Sequence, residues 1–282
     1  MPLVSFHDVQ KTYRSLQGVD YPALEHFSLD IEVGEFFCLL GPSGCGKTTV
    51  LKMLAGFEAP TAGRILMEGR PVTGASRDRG VVFQGDDSLY GWLTAVENVE
   101  FGLRMRHVGK TERRERAMRY LELVGLRGQE KKYPAELSGG MKQRIQIARV
   151  LANEPTMLLM DEPFAALDAQ TRETLQGELL RIWRSTGKTI VFITHGIDEA
   201  VVLGQRVAIM TSRPGRIKQV IDIPEELHSE TEDVRSLPAF GSVRHEVWSL
   251  LREEVLKAQQ GQPGAERDAG RTAIAIRELA HV

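Results

Sequence analysis

Cysteine is scarce in this chain. Among 282 residues there are two, Cys38 and Cys45, and neither stands in a CxxC pair or a Cys/His cluster. No zinc site is expected, and so few cysteines point to a reducing compartment. Cys38 lies inside the apolar run "FFCLL" and reads as a small core residue. Long apolar runs are also missing. "FFCLL", "TMLLM", "IVFI" and "VAIM" are all short, whereas a membrane-spanning helix needs about 20 mostly apolar residues. The chain is not expected to cross a bilayer by itself, and the short runs suit buried strands of a parallel sheet. The opening "MPLVSFHDVQ" has no basic region followed by an apolar one, so it does not read as a secretory signal. Net charge is small as well. At −2 it creates no overall field toward nucleic acid or anionic lipid. The basic cluster "GKTERRERAMR" is broken by Glu112 and Glu115 and reads as a solvated helix face. No nucleic-acid partner is expected, and no internal repeat is visible.

What is present is ordinary globular material, 42% apolar and 26% charged, enough for one large domain or two modest ones. Residues 1 to 35 read as strands with turns at Gly18 and Gly34. "EFFCLLGPSGCGKTTVLKMLAG" reads as strand, glycine-rich loop and helix. "AGRILMEGRPV" and "RGVVFQ" read as strands. From about 86 to 153 the pattern turns helical, as in "TERRERAMRYLELVGL" and "MKQRIQIARVLA". "TMLLMDEP" returns to a buried strand, and "AQTRETLQGELLRIWRSTG" is an amphipathic helix closed by Gly187. "KTIVFITH" and "QRVAIMTS" are strands again. Such alternation predicts an α/β protein with a largely parallel sheet and an inserted helical stretch. After residue 225 the pattern fades, and "GQPGAERDAG", 261 to 270, reads as a mobile linker or tail.

"GPSGCGKTT", 41 to 49, fits G-x-x-x-x-G-K-[ST] through Gly41, Gly46, Lys47 and Thr48, with Pro42, Ser43, Gly44, Cys45 and Thr49 completing the loop. It follows an apolar strand and opens a helix, the context that distinguishes a phosphate cradle from an incidental glycine-rich turn. Curled backbone N–H groups and the positive helix end hold phosphate oxygens. Lys47 is expected to reach the β- and γ-phosphates, and the Thr48 hydroxyl to ligate Mg²⁺. A magnesium nucleotide also needs a carboxylate at a neighbouring strand end, and "TMLLMDEP" supplies Asp161. Glu162 follows and is expected to point differently, because side chains alternate along a strand. It is the candidate to polarise an attacking water. Cys45 fills a variable position and has no assigned chemistry.

A second stretch, "ELSGGMKQRIQIARV", also has the build of a phosphate reader, although one cradle is already present. Taken in order, "GPSGCGKTT", Gln84 in "VVFQ", "LSGGMKQ", "LLMDEP", "AALD" and His195 in "FITHGIDEA" resemble the ATP-binding subunits of ABC transporters over residues 3 to 223. The resemblance implies the P-loop NTPase fold of ABC ATPases, with a mainly parallel core, an antiparallel β subdomain and a helical subdomain at about 86 to 153. It makes 1 to 223 the ATP-binding domain and leaves 224 to 282 as a helical extension and tail.

The resemblance also explains the second reader. In that family two subunits pair head to tail, and Ser138, Gly139 and Gly140 of one close over the ATP held by the other. Tyr13 in "KTY" matches the aromatic that stacks on adenine, although a strand aromatic packing into the sheet is a rival reading. Gln84 matches the residue that touches Mg²⁺ and water, so the implied metal set is Thr48, Gln84 and Asp161. Asp168 matches the loop that crosses the dimer interface, and His195 the residue that contacts the γ-phosphate and steadies Glu162. The implied catalytic set is Glu162, His195 and Lys47.

Three places depart from the family pattern: Gly196 where Asp is usual, Ala165 and Ala166 for Ser-Ala, and Gln205 where Asp often stands. None removes a catalytic group. The implied partners are a second copy of the chain, integral-membrane permease subunits and, indirectly, a solute-binding protein, with the chain peripheral on the cytoplasmic face of the cell membrane. The stretch 85 to 103, with Leu89, Tyr90 and Trp92 read as exposed, is the expected permease contact; packing of Trp92 and Leu93 inside the insert is the alternative. "GWLTAVENV" and "SRPGRI" resemble the nitrate, sulfonate and taurine importer branch. A non-transport ABC ATPase and an inactive ATP-binding scaffold are the rival functions.

Overall fold

The computed structural model of the chain describes residues 2–84, 88–228 and 233–260. Its strands and α-helices begin with β1 (Val4–Arg14), β2 (Asp20–Ile31), β3 (Phe36–Leu40), α1 (Lys47–Ala55), β4 (Ala62–Met67), β5 (Arg70–Pro71) and β6 (Arg79–Val82). They continue with α2 (Ala95–Met105), α3 (Lys110–Leu123), α4 (Gly139–Leu151), β7 (Met157–Asp161) and α5 (Ala169–Thr186). The last are β8 (Thr189–Thr194), α6 (Ile197–Leu203), β9 (Arg206–Met210), β10 (Ile217–Asp222) and α7 (Pro238–Gln260). The expected tail at 261–270 lies outside the described residues, as do positions 85–87 of the expected permease contact.

Two compact units result. One combines the described residues up to Gly74 with those from Val191 onward, and the other is Ala75–Ile190. In the first, an antiparallel sheet of order β2-β1-β4-β5 aligns Val4 with Ile31 and Phe6 with Leu29. Phe6 and Phe27 meet edge to face at 5.2 Å on its buried side. Beside it β3 runs parallel to β9, Cys38 opposite Val207, and β10 closes the far side of β9 antiparallel. All five residues of β3 are buried, as a parallel strand covered on both faces requires. The buried Glu35 takes two bonds from Arg206, at 2.6 and 2.8 Å, which fixes the entry to β3 against the entry to β9.

In the second unit β6 and β7 are parallel, with Val81 opposite Leu159. Helices α2, α3 and α4 pack on one another around buried Val96, Val99, Leu103, Ala117, Leu121, Ile145 and Leu151. Each of the valine, leucine and isoleucine side chains contributes about 1.5–3 kcal/mol by leaving water. Gly80 lets α4 sit directly on β6, because a Cβ there would lie 2.2 Å from Val150 Cγ1. The arginines of α3 are paired: Arg113 and Arg114 with Glu100, Arg116 with Glu112 and Glu154. α5 ends at Gly187, the helix close read from the sequence, and the glycine takes left-handed backbone at φ +60.

Candidate nucleotide-binding site

The loop between β3 and α1 turns on two left-handed glycines, Gly44 (φ +77) and Gly46 (φ +105). A side chain at Gly46 would stand 2.8 Å from Leu24 Cδ2 and 3.1 Å from the Ala23 carbonyl, so this position needs glycine twice over. Cys45 turns inward, 1% exposed, with its sulfur 4.0 Å from that of Met210. Ser43, Gly44 and Thr48 stay exposed at the mouth. Lys47 is buried, and its ammonium donates to the carbonyls of Gly41 at 2.7 Å and Pro42 at 3.2 Å. The cation is thus held over the loop by neutral oxygens, partners that an anion can replace. The first turn of α1 has no acidic residue to oppose an anion at its positive end.

Tyr13, on β1, reaches the same helix. Its hydroxyl donates to Glu58 at 2.5 Å and lies 3.4 Å from the Thr49 hydroxyl. Glu58 in turn meets Lys11 at 3.4 Å and Lys52 at 3.6 Å. Burial, then the neighbouring Glu58 carboxylate, raises the Tyr13 phenol above its ordinary value. Burial alone would raise Glu58, but the Tyr13 bond and the two lysines bring it below the usual carboxylate value. Glu58 escaped the sequence reading, since no motif marks it; a charge directly after the α1 helix end was its only trace.

At the end of β8, His195 is exposed. The next residue, Gly196, caps α6 and donates its N–H to the Thr194 hydroxyl at 2.9 Å. The Thr194 hydroxyl itself donates to Glu199. The start of α6 itself has no side-chain cap, since Gly196 stands where the family's usual aspartate would supply one.

The second unit carries the other candidates. Asp161 is the last residue of β7, and Glu162 stands just beyond it at φ +45. Its direction is therefore set by a left-handed turn rather than by strand alternation, a strained position for a non-glycine. Asp168 caps α5, accepting from the Thr171 N–H at 2.9 Å, and that bond holds its carboxyl below the ordinary range. Ser138 caps α4 by accepting from Met141 N–H at 3.3 Å. The two helix starts are neighbours. A Cβ on Gly140 would lie 2.7 Å from Thr171 Cγ2, and one on Gly139 would lie 3.6 Å from Leu167 Cδ2. Ser138 and Gly139 are exposed and Gly140 is buried. Gln84 is exposed in a bend after β6.

The stretch after it departs in part from expectation. Leu89, read as exposed, is buried, and Tyr90 is half-buried, 4.4 Å from the Phe101 ring and 5.6 Å from the Arg149 guanidinium. Trp92 is 74% exposed. Beneath it Asn98 is fully buried and holds the loop: it accepts from Tyr90 N–H at 2.9 Å and donates toward the carbonyls of Tyr90, Leu93 and Thr94 at 3.0–3.1 Å. Sequence reasoning passed over Asn98 as one polar residue within a helical run.

A glycine loop curled at the start of α1, with a buried lysine over it, defines a P-loop nucleotide-binding protein of the α/β class. Residues 24–165 match the family model for ABC transporters. The chain is 51% identical over 253 residues to the taurine import ATP-binding protein TauB of Burkholderia thailandensis, covering 88% of this chain and 96% of that one. It is 48% identical over 236 residues to an ABC transporter ATP-binding protein of Methanocaldococcus jannaschii, covering 84% and 86%. Among solved structures it is similar to a dimeric ATP-binding cassette in a post-hydrolysis state with ADP and Pi, with TM-score 0.69, 34% identity, and 78% and 99% covered. It is also similar to cbiO1 of Clostridium perfringens, with TM-score 0.72, 28% identity, and 86% and 99% covered. The chain belongs to the ABC transporter family of ATP-binding subunits, and its chemistry is ATP hydrolysis.

Proposed function

We propose that this chain is the ATP-hydrolysing subunit of an importer for a small anionic solute of the nitrate, sulfonate or taurine type, working beneath a separate permease. The observation that carries the reading is near-full-length similarity to a taurine import ATP-binding protein, 51% identical along 96% of that protein. In this reading the chain is peripheral on the cytoplasmic face of the cell membrane, and a solute-binding protein delivers the solute to the permease. Among the described residues, no helix is long and apolar enough to cross a membrane. The arginines of α3 pair with the protein's own carboxylates, in keeping with a reading that has no nucleic-acid partner.

Residues 41–49 cradle the phosphates of ATP. Lys47 exchanges its two loop carbonyls for β- and γ-phosphate oxygens, and Tyr13 stacks on adenine with its hydroxyl tethered to Glu58. Thr48, Gln84 and Asp161 offer hydroxyl, amide and carboxylate oxygens, a hard-donor set that suits Mg²⁺ with phosphate and water as its remaining ligands. Among the described residues no cluster of three or more His, Cys, Asp or Glu could hold a metal ion. When bound, Mg²⁺ supplies charge neutralisation at the phosphates. Glu162 holds the proton acceptor for the attacking water, and His195 steadies it at the γ-phosphate.

A second copy of the chain completes each site. Its Ser138, Gly139 and Gly140 close on the γ-phosphate, and Asp168 lies in the loop that crosses between copies. The solved neighbour described as a dimeric cassette with ADP and Pi supports this arrangement. Because both half-sites grip the γ-phosphate, ATP closes the pair and hydrolysis releases it. Trp92, exposed on a loop that Asn98 makes rigid, is the foothold for the permease. The test is size-exclusion chromatography of the Glu162→Gln variant. ATP with Mg²⁺ should give a dimer, ADP a monomer, and adding Ser138→Arg should abolish the dimer. A Ser138→Arg variant that still dimerises with ATP refutes the shared site.

A further inference from the structure

The C-terminal helix α7 buries Phe240, Val243, Val247 and Leu251 at three- and four-residue spacing. The next position on that stripe is a glutamate. Glu254 is 1% exposed, where an apolar residue would be expected. Its carboxylate accepts from the Ser212 N–H at 3.0 Å and the Ser212 hydroxyl at 3.4 Å. Lys218 lies 3.0 Å away and Lys257 2.8 Å. Burial by itself would raise this carboxyl, but bonds from Lys257, the Ser212 N–H and Lys218 bring it down to about 2. A buried carboxylate with four donors marks a built contact, because leaving one unmatched is expensive.

Ser212 lies in the loop between β9 and β10, and that loop is braced internally. Thr211 donates its hydroxyl to Pro214 carbonyl at 3.0 Å and accepts from the Arg216 N–H at 2.9 Å. Its far end is bound to β2: Gly215 N–H donates to Ala23 carbonyl at 2.9 Å, and Glu25 N–H donates to Gly215 carbonyl at 3.1 Å. The loop lies directly behind the phosphate cradle. A Cβ on Gly215 would fall 2.0 Å from the Cys45 carbonyl and 3.0 Å from Leu24 Cδ2, the same atom that abuts Gly46. Met210, at the end of β9, packs against Gly41 and Cys45. A continuous path of contacts therefore runs from α7 through 211–216 to the backbone of 45–46.

We propose that Glu254 is a positioning residue for nucleotide binding: its carboxylate pins the 211–216 loop, which in turn fixes the Cys45–Gly46 backbone, so this one contact sets the affinity of the phosphate cradle. The proposal rests on the reading of residues 41–49 as the nucleotide site. It gives the segment after β10 a role in ATP affinity rather than in folding alone. Glu254 touches no nucleotide. It acts through backbone that does.

The test is equilibrium titration of the full chain with a fluorescent ATP analogue and Mg²⁺, beside thermal unfolding of each variant. Glu254→Ala should weaken binding about tenfold, the scale of one lost buried hydrogen bond. Glu254→Gln keeps an acceptor oxygen for the Ser212 N–H and should recover most of the affinity. Val247→Ala, which trims the buried face of α7 and keeps the Glu254 carboxylate, should lower the melting temperature and leave affinity within twofold of the parent. Gly215→Ala, pressing on the Cys45 carbonyl, should weaken binding more than Glu254→Ala. Parental affinity in the folded Glu254→Ala chain overturns the proposal, as does equal loss in Val247→Ala. Unchanged binding in Lys47→Ala overturns the nucleotide-site reading itself.

Discussion

Replacing Asn98 by alanine tests whether the loop that presents Trp92 is held by one buried side chain. Asn98 is fully enclosed, and its amide serves the Tyr90 N–H and the carbonyls of Tyr90, Leu93 and Thr94 at 2.9–3.1 Å. Truncation removes all of these partners and leaves a small cavity. Each net hydrogen bond contributes about 0.5–1.5 kcal/mol, and a buried donor left without a partner costs about 1–3. Two amide hydrogens shared among three carbonyls count as two bonds rather than three. The expected loss is therefore about 2–4 kcal/mol, read from the shift of a urea unfolding midpoint at constant slope. Asn98→Asp should be at least as damaging, since it turns an oxygen toward three carbonyls. With permease present, stimulation of ATP turnover should fall while basal turnover persists, because no proposed phosphate contact comes from this loop. A loss below about 1 kcal/mol, or an Asn98→Asp variant milder than Asn98→Ala, would refute the reasoning.

Three further outcomes are expected. Glu162→Gln should leave ATP affinity unchanged and slow phosphate release by about 10²–10⁴-fold, the range of a lost general base; wild-type turnover would exclude that role. Gly140→Val should abolish ATP-driven dimerisation but not ATP binding by the single chain, because even its Cβ would meet Thr171 Cγ2 at 2.7 Å and part the starts of α4 and α5; dimerisation by size exclusion decides. The folded-state value of Glu254, about 2, lies below its ordinary 4.5, so its contribution to stability is present above about 4.5 and lost as pH falls toward 2. Glu254→Gln should therefore flatten the acid limb of the stability curve within that window, and an unchanged slope there would contradict the assignment.

Much of the fold was legible because its signals are local and repeated. Four short apolar runs read as buried strands became β3, β7, β8 and β9. Gly46, read as part of the phosphate loop, and Gly187, read as a helix end, both stand in left-handed backbone, at φ +105 and +60. The phosphate loop could be read because its chemistry is confined to nine consecutive residues. The second helix start was legible through Ser138, whose cap on Met141 is a local bond. Other features stayed hidden because they join distant segments. Tyr13 and Glu58 are 45 residues apart and Ser212 and Glu254 are 42 apart, and nothing in either neighbourhood names its partner. Leu89 was misread because an apolar residue in a polar stretch gives no hint of which way it turns. The strand rule does not reach Glu162, which lies one residue past the end of β7 in left-handed backbone.

Lys47, Asn98 and Glu254 share one device. Each lies on a helix at a buried position, 6%, 0% and 1% exposed respectively. Each uses its polar end to hold irregular backbone, at Gly41–Pro42, at 90–94 and at Ser212. Loops carry the recognition surfaces of such a protein, yet isolated loops pay conformational entropy for every ordered residue. A helix is stiff, and a polar side chain anchored in it lends that stiffness to the loop beside it. Losing such a contact is costly, because a partly satisfied buried polar group is worse than an apolar one. The phosphate cradle, the Trp92 loop and the 211–216 loop therefore each owe their described arrangement to one buried polar side chain on a neighbouring helix.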